Sequence, residues 1–491
     1  MDTPWQQTSK EASFLRSTLT TASHFQTLEE FLAWFESRRI ANRFEVQQIP
    51  LAEMDQWYLT GHPRRLVHRS GKFFSVEGLR VRTNYGPVPE WDQPIIHQPE
   101  IGILGIITRA FDGVRYFLMQ AKMEPGNVNT LQLSPTVQAT RSNYTQVHQG
   151  RQPLYLEYFV DRSKARILMD QLQSEQGARF LRKRNRNMII EVTDDVPLHD
   201  EFCWLTLGQI KRLLAMDNLV NMDARTALSC IPFVKTDWKY DYATMAYCQD
   251  ISAPIDAFGR RLSGFAKDLF LSMLDRKPVH HTLDEIISWF TELKTRYQVS
   301  LETIGLDELR QWVQTDTEIR HETGQYFSVI AVAVQAGNRE VFSWTQPLLK
   351  HAGYGVVGFL THKINGTLHF LVRASLEPGT IDLLEMGPTV ACSNAAERVR
   401  QPHHPPFLEL FLSPPPAQVR YSAIQSEEGG RFHCFQNRYM ILELPPDTSL
   451  DLPENFIWMT LGQIIDFTRY SYFNIEARNL LSCLSLLGDE E

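Results

Sequence analysis

WLTLGQI, running from Trp204 to Ile210, returns as WMTLGQI from Trp458 to Ile464, and this recurrence decides how the chain is divided. Outward from it the correspondence continues in both directions, its offset shifting by only a residue or two. Asn221, Ala224, Arg225, Ser229 and Cys230 recur as Asn474, Ala477, Arg478, Ser482 and Cys483. Upstream, Gln173, Ser174, Glu175, Gly177, Arg179 and Phe180 recur as Gln425, Ser426, Glu427, Gly429, Arg431 and Phe432. Further back, Glu124-Pro125-Gly126 and Pro135-Thr136-Val137 match Glu377-Pro378-Gly379 and Pro388-Thr389-Val390, and Trp91, Gln93 and Pro94 match Trp344, Gln346 and Pro347. A period this long is far beyond the 20–50 residues of solenoid repeats, so each unit is expected to be a whole domain with its own core. The division is residues 1–23 as an N-terminal extension, 24–233 as the first repeat, 234–280 as a connector with a helix, and 281–488 as the second repeat.

With 491 residues, 43% apolar and 22% charged, the chain has ordinary globular composition, and no apolar run approaches the roughly 18 residues of a membrane span. The polar start MDTPWQQTSKEASF lacks the zones of a secretory signal, so a cytoplasmic protein is expected. A net charge of -8 argues against broad nucleic-acid affinity. Six cysteines without CxxC spacing fit reduced thiols rather than a metal or disulfide framework. His403 and His404 sit between prolines and read as a surface loop. The chain carries no GxGxxG, GxxxxGK[ST], GxSxG or HExxH pattern, which removes support for a nicotinamide fold, a P-loop, a serine hydrolase and a zincin.

Each repeat opens with a helical pattern, LEEFLAWF from Leu28 and LDEIISWF from Leu283, preceded by Thr27 or Thr282 and carrying a Glu three residues on, as in a capping box. Strands are expected at FFSVEGLRV, IGILGIIT, YFLMQAK and NMIIEV, and at their counterparts YFSVIAVAV, YGVVGFLT, HFLVRAS and YMILEL. A helix is expected after each WxTLGQI. The fold class is α/β (α+β): two tandem, duplicated domains, each a mixed sheet with packed helices. Between the repeats, AFGRRLSGFAKDLFLSML from Ala257 reads as a connector helix or dimer contact.

Apolar positions survive between the copies; polar ones do not. The densest polar stretch, EPGNVNTLQLSPTVQATRSNYTQVHQG from Glu124, offers Asn127, Asn129, Gln132, Ser134, Thr136, Gln138, Arg141, Asn143, Tyr144 and His148 to a hydroxyl-rich ligand. In the second copy Asn127 becomes Thr380, Gln138 becomes Ala391, Tyr144 becomes Glu397 and His148 becomes Gln401. Likewise RFLRKRNRNM becomes RFHCFQNRYM. Arg182, Lys183 and Arg184, which become Cys434, Phe435 and Gln436, therefore equip the first copy for a diphosphate beside Arg179 and Asn185, which persist in both copies, the alternative being a solvated strand end. Asn221, Asp223 and Arg225 are expected to face inward, the arginine as much for a supporting ion pair as for chemistry. A second pocket would hold Glu377, Glu385, Thr389, Arg431, Asn437, Arg438 and Arg478. Trp91, Tyr85 and Trp344 are candidates for base stacking.

EPGNVNTLQLSPTVQATRSNY, FLRKRNRNM, WLTLGQI and DNLVNMDARTALSCIP, with the second-copy EPG, GPTV and WMTLGQI, make the chain closely similar to the NDP-hexose 2,3-dehydratases of deoxysugar biosynthesis over nearly its whole length. The resemblance implies two Nudix-like halves without a Nudix box, a homodimer, and a dTDP-linked 4-keto-6-deoxyhexose as substrate. The C4 ketone acidifies the C3 proton, so a base at C3 and an acid at the C2 hydroxyl suffice to eliminate water without cofactor or metal. The product is a 3,4-diketo-2,6-dideoxy sugar nucleotide, suited to handover to a 3-ketoreductase. Ionisable candidates are Tyr144 as acid or enolate donor, His148 as base, Glu124 and Asp223, against Glu377, Glu385 and Glu397 in the second copy. The competing expectation is a catalytically silent nucleotide-sugar binding protein.

Overall fold

The computed structural model describes residues 10–140, 153–233, 262–274, 279–337, 341–401 and 403–488. Both repeats begin as their sequences dictate. Thr27 caps the helix Leu28–Ala41 and Thr282 the helix Leu283–Arg296, each with a complete capping box to Glu30 or Glu285, an arrangement that contributes on the order of 1 kcal/mol per helix. A second matched pair of boxes lies inside the recurring motif. Trp204 and Leu205 finish the strand Phe202–Thr206, and Thr206 caps the helix Leu207–Leu214 with Gln209; Thr460 and Gln463 repeat this in the helix Leu461–Thr468. The helix thus starts within WxTLGQI, because its threonine side chain satisfies the first free N–H groups.

Each repeat builds a seven-stranded mixed sheet. In the N-terminal repeat, Gly102–Phe111 pairs antiparallel with Val114–Met123 and parallel with Arg184–Glu191. In the C-terminal repeat, Gly355–Ile364 pairs antiparallel with Thr367–Ser375 and parallel with Gln436–Glu443. IGILGIIT, YFLMQAK and NMIIEV and their counterparts form these centres, largely buried on both faces, which explains their continuous rather than alternating apolar character, while FFSVEGLRV and YFSVIAVAV form Ser75–Thr83 and Phe327–Ala336 of the other two sheets.

The other two sheets are shared reciprocally. Phe44–Ile49, from the N-terminal repeat, pairs with Phe327–Ala336 of the C-terminal repeat in the register Phe44↔Ala336. Val299–Ile304 of the C-terminal repeat pairs with Ser75–Thr83 of the N-terminal one in the register Val299↔Thr83. These two pairings map onto each other under the repeat offset. Each copy has lent its first strand to the other's sheet, so neither can complete its hydrogen bonding alone.

The EPG turns interlock in the same reciprocal way. Gly126 N–H donates to the Gly429 carbonyl at 2.8 Å and Cys434 N–H to the Gly126 carbonyl at 2.7 Å; Gly379 N–H donates to Gly177 at 2.6 Å and Arg182 N–H to Gly379 at 2.7 Å. A Cβ on Gly126 would stand 1.6 Å from the Phe432 carbonyl oxygen, and one on Gly379 1.8 Å from that of Phe180. Glycine is required there by the close passage of the other repeat's backbone.

Two expected boundaries shift. The helix Lys10–Thr18, within the supposed extension, packs against the N-terminal sheet: Ser17 Oγ donates to the Arg115 carbonyl and accepts from Leu207 N–H. Gly264–Met273, within the supposed connector, does the same for the C-terminal sheet, with Ser272 Oγ donating to the Leu368 carbonyl and accepting from Leu461 N–H. Both helices are integral to their repeats, matched through one serine and a few apolar positions, too little similarity for the sequence to align. Residues 234–261 lie outside the described set. Among the described residues no helix is long and apolar enough to cross a membrane.

Candidate active site

Between the repeats lies a cavity of about 400 Å³. The N-terminal repeat brings Lys122 and Glu124 from the end of the strand Val114–Met123 and its EPG turn, and Gln138 from Val137–Ala139. Asp223 comes from the first turn of the helix Met222–Ser229, where Asn221 is the N-cap and accepts from Ala224 N–H at 2.8 Å. Lys183 and Asn185 enter beside the strand Arg184–Glu191. The C-terminal repeat contributes Glu428, Gly430 and Arg431 through the interlocked loop, together with Trp344 and Gln346. Trp57, Phe73 and Phe74 add an aromatic wall beside Gln56.

The charges are arranged in contact. Lys122 Nζ lies 3.3 Å from Glu124 Oε1, which also accepts from Gln138 Nε2 at 2.8 Å. Burial holds the Asp223 carboxyl well above the usual carboxylate range, and the nearby Glu428, Glu124 and Glu175 push it the same way. Glu175, bonded to Asn185 Nδ2 at 2.6 Å, is raised by burial to about 7. Glu428 is likewise raised, first by burial and then by Glu124, against the pull of Arg431 and Lys183. Arg431 is fixed in place: its Nε and Nη2 donate to Gln98 Oε1 at 3.2 and 3.1 Å, its Nη1 to the Gly430 carbonyl at 2.7 Å, and its guanidinium lies 4.2 Å over the Phe74 ring. A buried carboxylic acid, a carboxylate neutralised by an ammonium and further cations thus meet in one enclosure, the equipment for proton transfer beside an anionic ligand.

The expected site residues divide sharply. Glu124, Asp223, Gln138, Lys183 and Asn185 line the cavity. Asn221 supports it, its Nδ2 donating to Gln138 Oε1 at 3.5 Å. Thr136 belongs to the sheet, accepting from Ile107 N–H and donating to the Leu118 carbonyl, and Thr389 repeats this at Leu360 and Leu371. Ser134 is buried within its own strand region, and Asn127 turns back on the Thr130 carbonyl. Asn129 binds the Asn218 carbonyl, and Gln132 bridges Asn129 to Ser426 of the other repeat. Arg225 is fully buried and ties the repeats together through Ser426, Gln425 and Asn479, while Arg478 reaches the Ser174 carbonyl. Arg182, at a positive φ, is exposed and Arg184 half-buried; neither lines the cavity, so of that basic run only Lys183 does. Arg438 is exposed on its strand. Arg141, Asn143, Tyr144 and His148 lie outside the described residues; Thr140 and Pro153, which flank that segment, both line the cavity.

Arg431 and Arg179 have exchanged places relative to expectation. Arg431 was grouped with the second pocket, yet its loop crosses into the first cavity. Arg179 was grouped with the first, yet it donates to His351 Nε2 at 3.1 Å and lies 4.3 Å over Phe327 in the C-terminal repeat. Repeat membership follows the chain; the pocket follows the exchanged loops. Lys122, Glu428 and Gln98 were missed altogether. Lys122 and Glu428 each had a signal, since their counterparts are Ser375 and Gln176.

The matching place in the C-terminal repeat is built from different side chains. Phe435 stands where Lys183 does and stacks on His351 with ring centroids 3.6 Å apart. Glu377, Glu385 and Glu476 gather beneath with Arg179 and Arg478; burial raises all three carboxyls, Glu385 to about 7, and pushes His351 well below its ordinary range beside Arg179. Asn437 is held by Glu427 at 2.6 Å.

The NDP-hexose 2,3-dehydratase family model matches residues 28–231 and again 283–484. The chain is 46% identical over 480 residues to a dTDP-4-dehydro-6-deoxy-α-D-glucopyranose 2,3-dehydratase of Saccharopolyspora spinosa, covering 96% of this chain and 94% of that protein. It is 45% identical over 465 residues to the enzyme of the same name from Amycolatopsis orientalis, covering 93% and 90%, and 42% identical over 463 residues to that of Streptomyces violaceoruber, covering 94% and 97%. Twofold matching of one family model to the two repeats, and similarity sustained along nearly the whole chain, place this protein in the NDP-hexose 2,3-dehydratase family.

Proposed function

We propose that the chain is a lyase acting on a dTDP-linked 4-keto-6-deoxyhexose, removing the C3 proton and the C2 hydroxyl as water in the inter-repeat cavity. The single observation that carries this is the meeting of Glu124, paired with Lys122 at 3.3 Å, and the buried Asp223 in one enclosure. Glu124, paired with the Lys122 ammonium, takes the C3 proton. Asp223, kept protonated, gives its proton to the departing C2 oxygen, the C–O bond breaks, and a C2=C3 enol remains. Proton return to C2 converts the enol to the C3 ketone, so the step is redox-neutral and the base is restored. Lys122 faces the charge that develops on the C4 oxygen, and Lys183 with Arg431 faces the diphosphate. Trp344 and Trp57 offer stacking faces to the nucleobase.

Tyr144 and His148 remain proposals as an additional acid and base. Each central sheet, with its parallel pairing of Arg184–Glu191 to Gly102–Phe111, is proposed as a Nudix-like module. The protein is proposed to act as a homodimer and to pass its reactive diketone to a ketoreductase.

The test is incubation of purified protein with dTDP-4-keto-6-deoxyglucose and a reductive trap, read by mass spectrometry. Trapped product lighter by one water supports the proposal. Intact substrate, with binding verified by calorimetry, would replace it with a silent nucleotide-sugar binding protein.

A further inference from the structure

We infer that the C-terminal repeat is a working part of the catalytic centre: Glu428, delivered by its interlocked loop, is a positioning residue that keeps the proton on the Asp223–Glu124 pair. This rests on the dehydratase proposal and adds to it a contribution from the second repeat.

Geometry places Glu428 there. The following residue, Gly429, receives the Gly126 N–H at 2.8 Å, and a Cβ on Gly429 would stand 2.9 Å from Glu124 Cβ and 2.1 Å from Asn127 Oδ1. Such backbone contact leaves the loop no room to withdraw, and Glu428 joins Glu124, Lys122, Lys183 and Asp223 in the cavity lining. Comparison of the copies points the same way. The counterpart of Glu428 is Gln176, which is neutral and turned to Glu427 at 2.8 Å. At this position the loop that enters the cavity carries a carboxylate, while the matching loop of the N-terminal repeat carries an amide.

Its charge acts on groups from every element packed against it. Arg431 faces it from its own loop, Lys122 and Glu124 from the strand end and EPG turn, Lys183 from the segment before Arg184–Glu191, Glu175 from the strand Arg166–Ser174 end, and Asp223 from its helix. Burial and the surrounding carboxylates already hold Asp223 protonated, with Glu428 the foremost of those charges. Replacing that charge by an amide favours ionisation of Asp223, so the high-pH limb of the pH profile of kcat/KM moves toward lower pH.

The experiment measures kcat/KM against pH for the full-length wild type, Glu428→Gln and Glu428→Asp, with thermal melting to verify folding. Glutamine is what the counterpart position carries, so its size and polarity suit the loop. The expected result is a high-pH limb displaced by about one pH unit for Glu428→Gln and little displaced for Glu428→Asp, which keeps the charge. A Glu428→Gln profile that superimposes on the wild type, whether or not its height falls, overturns the inference, as does an equal displacement in Glu428→Asp. If wild-type protein itself eliminates no water, the dehydratase proposal fails instead, and the two failures are distinct.

Discussion

Replacing Arg431 by alanine should cripple nucleotide binding although this residue belongs to the C-terminal repeat and most of the cavity's charged groups to the N-terminal one. The guanidinium is anchored on Gln98 and the Gly430 carbonyl and stacked on Phe74, so it is oriented before ligand arrives and little ordering cost attends its contact with a phosphate. A charged hydrogen bond of this kind contributes about 2–3 kcal/mol, which converts to roughly 30- to 150-fold in Kd. Arg431→Lys should retain part of this, because lysine keeps the charge but loses the planar fork. Titration calorimetry with dTDP measures it directly. Arg179→Ala is the matched control: the same stacking, on Phe327 at 4.3 Å, is lost on the other side of the molecule, so a comparable fall in melting temperature is expected with dTDP affinity intact. Equal losses of affinity in both variants, or unchanged affinity in Arg431→Ala, would refute the assignment of the diphosphate to the exchanged loop.

Three further outcomes are expected. Asp223→Asn should lower kcat by about 10²–10⁴-fold while raising the melting temperature at pH 8. Its carboxyl sits above its unfolded range, so the native state holds the extra proton and loses stability as pH rises; a lower melting temperature at pH 8 than wild type would contradict this. Glu385→Gln, which installs the residue found at the matching Gln132, should remove a stability loss that develops between pH 4.5 and about 7, with a ceiling of about 3 kcal/mol; melting curves across that window that run parallel for both proteins would exclude it. Lys183→Ala should weaken dTDP binding by about tenfold or more, whereas Arg182→Ala, exposed outside the cavity, should leave it unchanged; the reverse order would restore the whole basic run as the phosphate site.

Local features were legible because they depend on a few neighbouring residues. A threonine followed three positions later by Glu or Gln caps a helix wherever it stands, and the predicted boxes at Thr27 and Thr282 form as expected. The eight strand segments are likewise short, apolar and β-branched, and all form. Among the site residues, Gln138 and Lys183 were found by a simple contrast, polar groups in the first copy that become Ala391 and Phe435 in the second, whereas Glu124, Asp223 and Asn185 were found as polar groups inside motifs that both copies carry. The same contrast over-reached at Asn129 and Gln132, since a polar side chain that stitches one repeat to the other also lacks an identical counterpart once the two surroundings differ.

What could not be read is which copy's side chains share a space, because an exchange of strands leaves no local trace. Phe44–Ile49 alternates half-buried and exposed positions, as any half-covered strand does, and nothing in that alternation names the partner. The EPG glycines carried the only sequence signal of the crossing. They were legible as turn residues, yet the turn alone does not demand glycine at Gly126; the Phe432 carbonyl passing within 1.6 Å of a would-be Cβ does. The duplication makes that crossing permanent. Two copies that trade strands and loops cannot specialise as independent domains, since a loop that belongs to one repeat lines the cavity of the other. Selection on the C-terminal repeat could therefore replace the counterpart of Lys183 by Phe435 while still acting on Glu428 and Arg431 as parts of its neighbour's cavity. The polar residues of the two copies diverged so far because each pocket draws its residues from both, and a change in either one alters both halves of the sequence.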